Sequence, residues 1–364
     1  MNICIVVGAR PNFIKVAPII RVISKVKKQG KNIAYQLVYA GKKDDPTLEP
    51  SLFEDLQTPR PDVYLGVDCD NLNELTGQVM SAFEVYLQQN HIDIVIVVDD
   101  LASTMAAAIV TKKQGIKLAH LVAGTRSFDI KMPKEINRLV IDGLSDLLFT
   151  AGMGSNSIAT REGAEISKIY LVGNILMDTL RFNYNRFQRP AIFEKFGLKE
   201  KAYLVFTLNR KALISNKDNL KLMIERMIAN AHDTQIIAPL RQRAADAIRA
   251  LNINLPDFHI VEPLNYLEFG YLTAHAQGII TDSGNVAEEA TFNSVPCITL
   301  NSYTEHLETV KVGSNVLVGE DAGKLGEAVT LMTTGNWKKC AIPDRWDGRS
   351  AERIVQILLD INNI

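Results

Sequence analysis

The stretch IDIVIVV at residues 92–98 constrains the fold more than any other part of the chain. A strand exposed on one face alternates apolar and polar side chains, and this one does not alternate. It has to be covered on both faces, as in a parallel sheet flanked by helices. Similar runs occur at 3–7, 36–40, 116–121, 147–150 and 169–172, and again at 203–207, 235–238, 259–262, 278–281 and 297–300. Between them the apolar period lengthens to that of a helix. Phe13, Val16, Ile20 and Ile23 share one face of a helix predicted over 13–28. Further helices are predicted over 74–88, 103–114, 134–144, 216–231, 243–251, 266–276, 284–293, 324–333 and 350–359.

The alternation breaks once, across 182–201, where RFNYNRFQRP and a charged run read as a crossing between domains. A chain of 364 residues also exceeds what one hydrophobic core usually serves. The predicted fold class is therefore α/β, with two Rossmann-like, doubly wound parallel-sheet domains facing each other across a cleft. The expected boundaries are 1–185 and 186–348, with a C-terminal helix in 349–364 crossing back to the first domain. A net charge of −1 provides no field to draw nucleic acid or an anionic membrane. No apolar stretch is long enough to span a bilayer. The start, MNICIVVGARP, lacks the basic region and apolar length of a signal peptide. Cys4, Cys69, Cys297 and Cys340 form no CxxC or Cys/His pattern and read as reduced, buried thiols of a cytoplasmic protein.

Ligands of open parallel sheets lie beyond the carboxyl ends of the strands, so chemistry is sought in those loops. Gly8-Ala9-Arg10-Pro11-Asn12 follows a strand and opens a helix, where backbone N–H groups and the helix dipole favour an anion. Arg10 and Lys15 add cations there; the alternative is two solvated basic residues. Thr281-Asp282-Ser283-Gly284-Asn285 also opens a helix, which carries Glu288 and Glu289. A Ser-Gly turn lets backbone approach a phosphate, and a carboxylate further along can accept from ribose hydroxyls. The alternative is an Asp/Ser N-cap with acidic residues near a helix start. One such loop per domain points to a nucleoside diphosphate.

The segments GARPNFIKVAPII, HLVAGTRSFDIKMPKEINRLVIDGLSDLLFT, VGNILMDTL, TDSGNVAEEATFNSVPCITL, TEHLETVKVGSNVLVG and RWDGRSAERI follow one another from the start of the chain to about residue 357. As an ordered set they resemble the signatures of the non-hydrolysing UDP-N-acetylglucosamine 2-epimerases. The resemblance implies the two-domain glycosyltransferase-B fold, a homodimer, and interconversion of UDP-GlcNAc and UDP-ManNAc by UDP elimination and re-addition, with no metal or redox cofactor. It implies that UDP or a UDP-sugar is held by Arg10, Lys15, Asn209, Arg210, Phe269, Ser283, Gly284 and Glu289. Asp100 is the retained catalytic candidate, with Glu135 a weaker one. Asn137, Arg138 and Arg243 also match the family pattern.

The departures from that pattern fall largely on the sugar-facing chemistry. Val122 and Lys134 stand where the family has catalytic glutamates, and Asn209 where it has a histidine. Lys43, Leu75, Arg241 and His306 replace further polar or charged family residues, and Asp99 replaces the glycine of the GD motif. Proton abstraction at C2 needs a positioned base, and loss of one general acid–base group typically costs on the order of 10²–10⁴ in rate. Three readings follow. The chain is a working epimerase using other groups, such as Asp99 beside Asp100; or a non-catalytic UDP-sugar-binding protein; or an enzyme retooled for another UDP-sugar. For Lys134 the alternatives are a base of depressed pKa, a partner for a phosphate or an anionic sugar, or an internal ion pair with Asp99, Asp129 or Glu135.

Overall fold

The computed structural model describes residues 1–362. The chain divides into two compact units. The first is Met1–Phe182 with the segment from Asp344 onward, and the second is Asn183–Pro343. The boundaries expected from sequence were 185/186 and 348/349.

The sheet of the first unit is built from β1 (Asn2–Val7), β2 (Ala34–Tyr39), β3 (Val63–Tyr64), β4 (Ile94–Val98), β5 (Lys117–Ala123), β6 (Leu147–Thr150) and β7 (Ile169–Leu171). Its order is β3-β2-β1-β4-β5-β6-β7, and every pairing is parallel. The sheet of the second unit comprises β8 (Tyr203–Thr207), β9 (Gln235–Pro239), β10 (Phe258–Val261), β11 (Gly278–Thr281), β12 (Cys297–Thr299) and β13 (Asn315–Leu317). Its order is β10-β9-β8-β11-β12-β13, again all parallel. The chain winds outward in both directions from β1/β4 and from β8/β11. Those pairs are the switch points beyond which ligands of such sheets bind.

Strands without polar alternation are buried on both faces. Leu204 and Phe206 of β8 join one apolar cluster with Leu220, Ile224 and Met227, while Tyr203 and Val205 join another with Phe193, Leu272 and Ala290. Ile3–Val7 is likewise solvent-excluded throughout. The predicted helices are present, and the first begins earlier than predicted, at Arg10, with Pro11 in its opening turn. Pro18 lies inside that helix and has no N–H for the carbonyl of Ile14. The Thr179 hydroxyl donates to that carbonyl instead, at 2.6 Å.

The chain returns to the first unit through Trp346, whose indole N–H donates to the carbonyl of Ala151. Gly173, at φ +97°, lies against the Arg345 carbonyl where a Cβ would overlap it. The Asp178 carboxylate accepts from the N–H groups of Ser350 and Ala351 and so caps the final helix, Ser350–Asn362, which packs on Arg10–Lys28. The cysteines depart in part from expectation: Cys4 and Cys297 are buried, Cys69 is half-buried and Cys340 is exposed. Among the described residues no helix is long and apolar enough to cross a membrane, and no group of three or more His, Cys, Asp or Glu is placed to hold a metal ion.

Candidate functional site

The switch point of the first unit brings together the loops after β1 and β4. The β1 loop is not the open anion cradle expected from sequence. The N–H groups of Gly8 and Ala9 both donate to Asn12 Oδ1, at 2.9 and 3.2 Å, and Pro11 has no N–H to offer. Lys15, expected to meet a phosphate, is buried and donates to Asp99 Oδ1 at 2.6 Å. Asn12 Nδ2 donates to the other Asp99 oxygen at 2.8 Å. Arg10 is half-buried, and its guanidinium has no ion-pair partner among the described residues.

Asp99 and Asp100, adjacent in sequence, face different partners. Asp100 Oδ2 takes two bonds from Arg138, at 2.8 and 2.5 Å, and Oδ1 lies 3.2 Å from Lys134 Nζ. Burial pushes the Asp100 carboxyl up, but Lys134 and Arg138 outweigh it and hold it below the usual range. Lys134 thus pairs with Asp100, and not with Asp99, Asp129 or Glu135. The Glu135 carboxylate accepts from Ser127 N and Oγ, Phe128 N and Arg138 Nη1. Its lone pairs hold the 127–128 turn, which makes it a positioning group and a poor candidate base. Burial raises its pKa, and these bonds bring it back below the usual range.

Val122 sits at the end of β5 with φ +73°, beside a register shift between Leu121 and Ala123. A β-branched residue in the left-handed region is strained, and such strain gathers at functional sites. Asp99, at φ +58°, donates its N–H to the Leu121 carbonyl. Its own carbonyl lies 2.9 Å from His120 Nε2. Leu75 packs with Ala40, Val79 and Ala106, and Lys43 is exposed.

Behind this cluster lies a network to which the sequence assigned no roles. His120 Nδ1 meets Asp142 Oδ1 at 2.6 Å, and Arg126 bridges Asp142 Oδ2 at 2.7 Å and Glu162. Burial raises the Asp142 carboxyl, and His120 and Arg126 hold it low. His120 and Arg126 stand within the HLVAGTR segment, but their partners lie on later helices and no local spacing points to them. A cavity of about 460 Å³ borders Asp142 and Glu162, with Leu139, Leu148, Ala159 and Lys168 in its lining. It includes no residue of the strand-end loops and is not the candidate site.

In the second unit the loops after β8 and β11 meet. Asp282 Oδ2 accepts from the N–H groups of Asn209 and Arg210, at 2.7 and 2.5 Å. Asp282 therefore fixes the neighbouring loop and does not cap its own helix, a role the sequence reading missed. Ser283 is the N-cap of Gly284–Phe292 without a side-chain bond. A Cβ at Gly284 would meet only open space, so its backbone can be closely approached. Arg210 reaches Asn301 Oδ1 at 2.9 Å and Glu320 at 3.3 Å. Glu289 is buried on the same helix; burial and then the adjacent Glu288 push its carboxyl up to about 8. His306 is also buried, with Nε2 3.7 Å from Glu288. Phe269 is half-buried and packs against the apolar cluster that includes Val286 and Ala290 of the Ser283 helix. Arg241 and Arg243 are exposed.

Comparison with known proteins agrees with this geometry. The chain is 35% identical to the UDP-N-acetylglucosamine 2-epimerase of Methanocaldococcus jannaschii, over 98% of this chain and 99% of that protein. It is 31% identical to the UDP-2,3-diacetamido-2,3-dideoxy-D-glucuronate 2-epimerase of Pseudomonas aeruginosa, over 88% of each. The crystal structure of the M. jannaschii enzyme in complex with UDP-GlcNAc and UDP superposes with a TM-score of 0.84 at 34% identity, covering 98% of this chain and 99% of that one. The two parallel-sheet units are thus of the glycosyltransferase-B type. A family model described as UDP-N-acetylglucosamine 2-epimerase matches residues 25–359, and the chain belongs to that family.

Proposed function

We propose that the chain binds UDP or a UDP-sugar and is a slow 2-epimerase at most. The observation that carries the binding half is a coincidence of two independent signals. The strand orders select the loops after β1, β4, β8 and β11, and the same loops hold Arg10, Asp100, Arg210, Ser283 and Gly284. On this reading Ser283 and Gly284 of the second unit receive the diphosphate, Glu289 the ribose and Phe269 the uracil; in the first unit Arg10 is the cation open to an anion. The slow chemistry rests on Val122, Lys134 and Asn209. None is a carboxylate or histidine, and the retained Asp100 is tied to Arg138 and Lys134. A carboxylate held low is a weak base.

Calorimetry with UDP tests binding, and NMR of UDP-GlcNAc in D₂O tests exchange at C2, epimerisation and UDP release together. Arg10→Ala is expected to weaken UDP by about ten- to a hundredfold, the scale of one charge-assisted hydrogen bond, and Glu289→Ala, whose carboxyl holds its proton to about pH 8, by roughly two- to tenfold, the scale of an uncharged one. No binding at millimolar UDP by folded protein would sink the proposal. Turnover within the usual ~1–10³ s⁻¹ would refute its catalytic half. In the reversion Val122→Glu, Lys134→Glu and Asn209→His, a carboxyl returns beside Asp100. Like charges at that range raise a pKa toward the working pH, and C2 exchange is expected to increase.

A second reading, an acidic UDP-sugar as substrate, is favoured by the relationship to the P. aeruginosa glucuronate enzyme. It requires Lys134 to exchange Asp100 for the sugar carboxylate. Competition between UDP-GlcNAc and its uronate, repeated with Lys134→Ala, separates the two. An affinity ratio that Lys134→Ala leaves unchanged removes the second reading.

A further inference from the structure

Three cations and three carboxylates pair off beside the loops after β1 and β4. Lys15 pairs with Asp99, Lys134 with Asp100, and Arg138 with Asp100 and Glu135. Asp99 stands apart in this group because both its oxygens accept from the first helix, one from Asn12 and one from Lys15. Gly8 and Ala9 give their N–H groups to Asn12, Asn12 gives its amide to one Asp99 oxygen, and Lys15 gives its ammonium to the other. The carboxylate lies among donors at the start of a helix, which is where an anion is favoured. The pair is largely withdrawn from water, with the Lys15 side chain 9% exposed and that of Asp99 17%. Screening by solvent is weak there, so the Lys15 charge is committed to Asp99.

The backbone holds the carboxylate in place. Asp99 adopts a left-handed conformation, which costs a non-glycine residue free energy, though Asp and Asn bear it best. It is fixed on both sides, by its N–H on Leu121 and its carbonyl against His120. This carboxylate is therefore part of a rigid constellation.

We infer that Asp99 is a resident anion of the β1 loop, which takes the Lys15 ammonium a ligand phosphate would otherwise take and so lowers the affinity of the site for anionic ligands. Of its two basic side chains, the loop then offers a ligand the Arg10 guanidinium and not the Lys15 ammonium. The inference rests on the UDP-binding reading above and goes beyond it by naming the residue that sets the charge preference.

The test is calorimetric titration of the full chain with UDP, and with uridine as the phosphate-free probe. The proteins compared are the parent, Asp99→Asn, Asp99→Gly, Lys15→Met, and Asp99→Asn combined with Lys15→Met. Asn and Gly both tolerate a left-handed φ, so both single variants at 99 keep the backbone; circular dichroism and melting check the fold. UDP is expected to bind about ten- to a hundredfold tighter to both Asp99 variants, the scale of one charge-assisted contact regained. Uridine affinity is expected to stay constant. The gain should vanish when Lys15→Met is added. A purely structural ion pair would move melting temperature without separating UDP from uridine. UDP affinity unchanged by Asp99→Asn and Asp99→Gly, or a gain that survives Lys15→Met, overturns the inference while leaving UDP binding intact. If no form binds UDP, the binding proposal fails and this inference with it.

Discussion

Glu289 carries its carboxyl inside the second unit with no cation among the described residues to meet it. Burial, and then Glu288 beside it, push the pKa from 4.5 up to about 8. The unfolded chain releases this proton near 4.5, whereas the folded chain holds it to about 8. The stability it contributes is therefore complete below the unfolded value and is lost as pH rises through the folded one. Ligand-free protein is expected to lose on the order of a few kcal/mol between about pH 5 and about pH 9 from this group. Glu289→Gln should remove that part of the loss, as measured by urea denaturation at the two pH values. Parallel losses in the two proteins would place the effect elsewhere. At this scale the sequence named the residues but not their partners. The helix that carries Glu289 was legible because a Ser-Gly turn opens it. The Lys15–Asp99 and Lys134–Asp100 pairs were not, since the members lie 84 residues apart in the first case, and in the second on the helix Pro133–Leu144 and the loop after β4. Asn12 and Asp282 stood within recognised motifs, but their partners across to another loop, Asp99 for the first and the N–H groups of Asn209 and Arg210 for the second, follow from no local spacing.

The first helix contains a proline that the fold accommodates from outside. Pro18 leaves the Ile14 carbonyl without its helical donor, and Thr179, far along the chain, supplies the missing hydroxyl at 2.6 Å. An unsatisfied buried carbonyl costs about 1–3 kcal/mol. Thr179→Val is expected to destabilise the protein by that amount. Pro18→Ala restores an N–H at the same carbonyl, so Thr179→Val should be nearly silent in that background. Chemical denaturation of the four proteins in the cycle reads the coupling directly, and additive losses would show that Thr179 acts through packing alone. The long helices and the fully apolar strands were readable because period and burial agree along them. The elements missed were short, among them the helices Pro50–Leu56, Met153–Arg161, Ile175–Asn183 and Lys211–Ser215, and the strands Val63–Tyr64 and Asn315–Leu317. A strand of two or three residues completes no period, and its place in the sheet comes from its neighbours' hydrogen bonds.

Across the whole molecule the chain leaves its first unit at Phe182 and re-enters at Asp344. Sequence periodicity located the returning helix, but the anchors lie just before it, where no period exists. Trp346 is buried within the first unit, its ring among the largest fully enclosed side chains and its N–H on Ala151. Gly173 admits the backbone of Arg345, and Asp178 caps the helix that follows. Every one of these contacts belongs to the first unit, although the residues that make them follow the second in sequence. Trp346→Ala removes a large enclosed side chain and leaves a carbonyl without its donor, which should cost about 3–5 kcal/mol. If the two units have separate cores, that loss is local. Hydrogen exchange followed by mass spectrometry is expected to show protection falling in β1, β6 and the helix Ser350–Asn362, and unchanged in β8, β9 and β11. A fall of equal size in both sheets would mean that the units unfold as one, and that the return through Trp346 stabilises the entire chain.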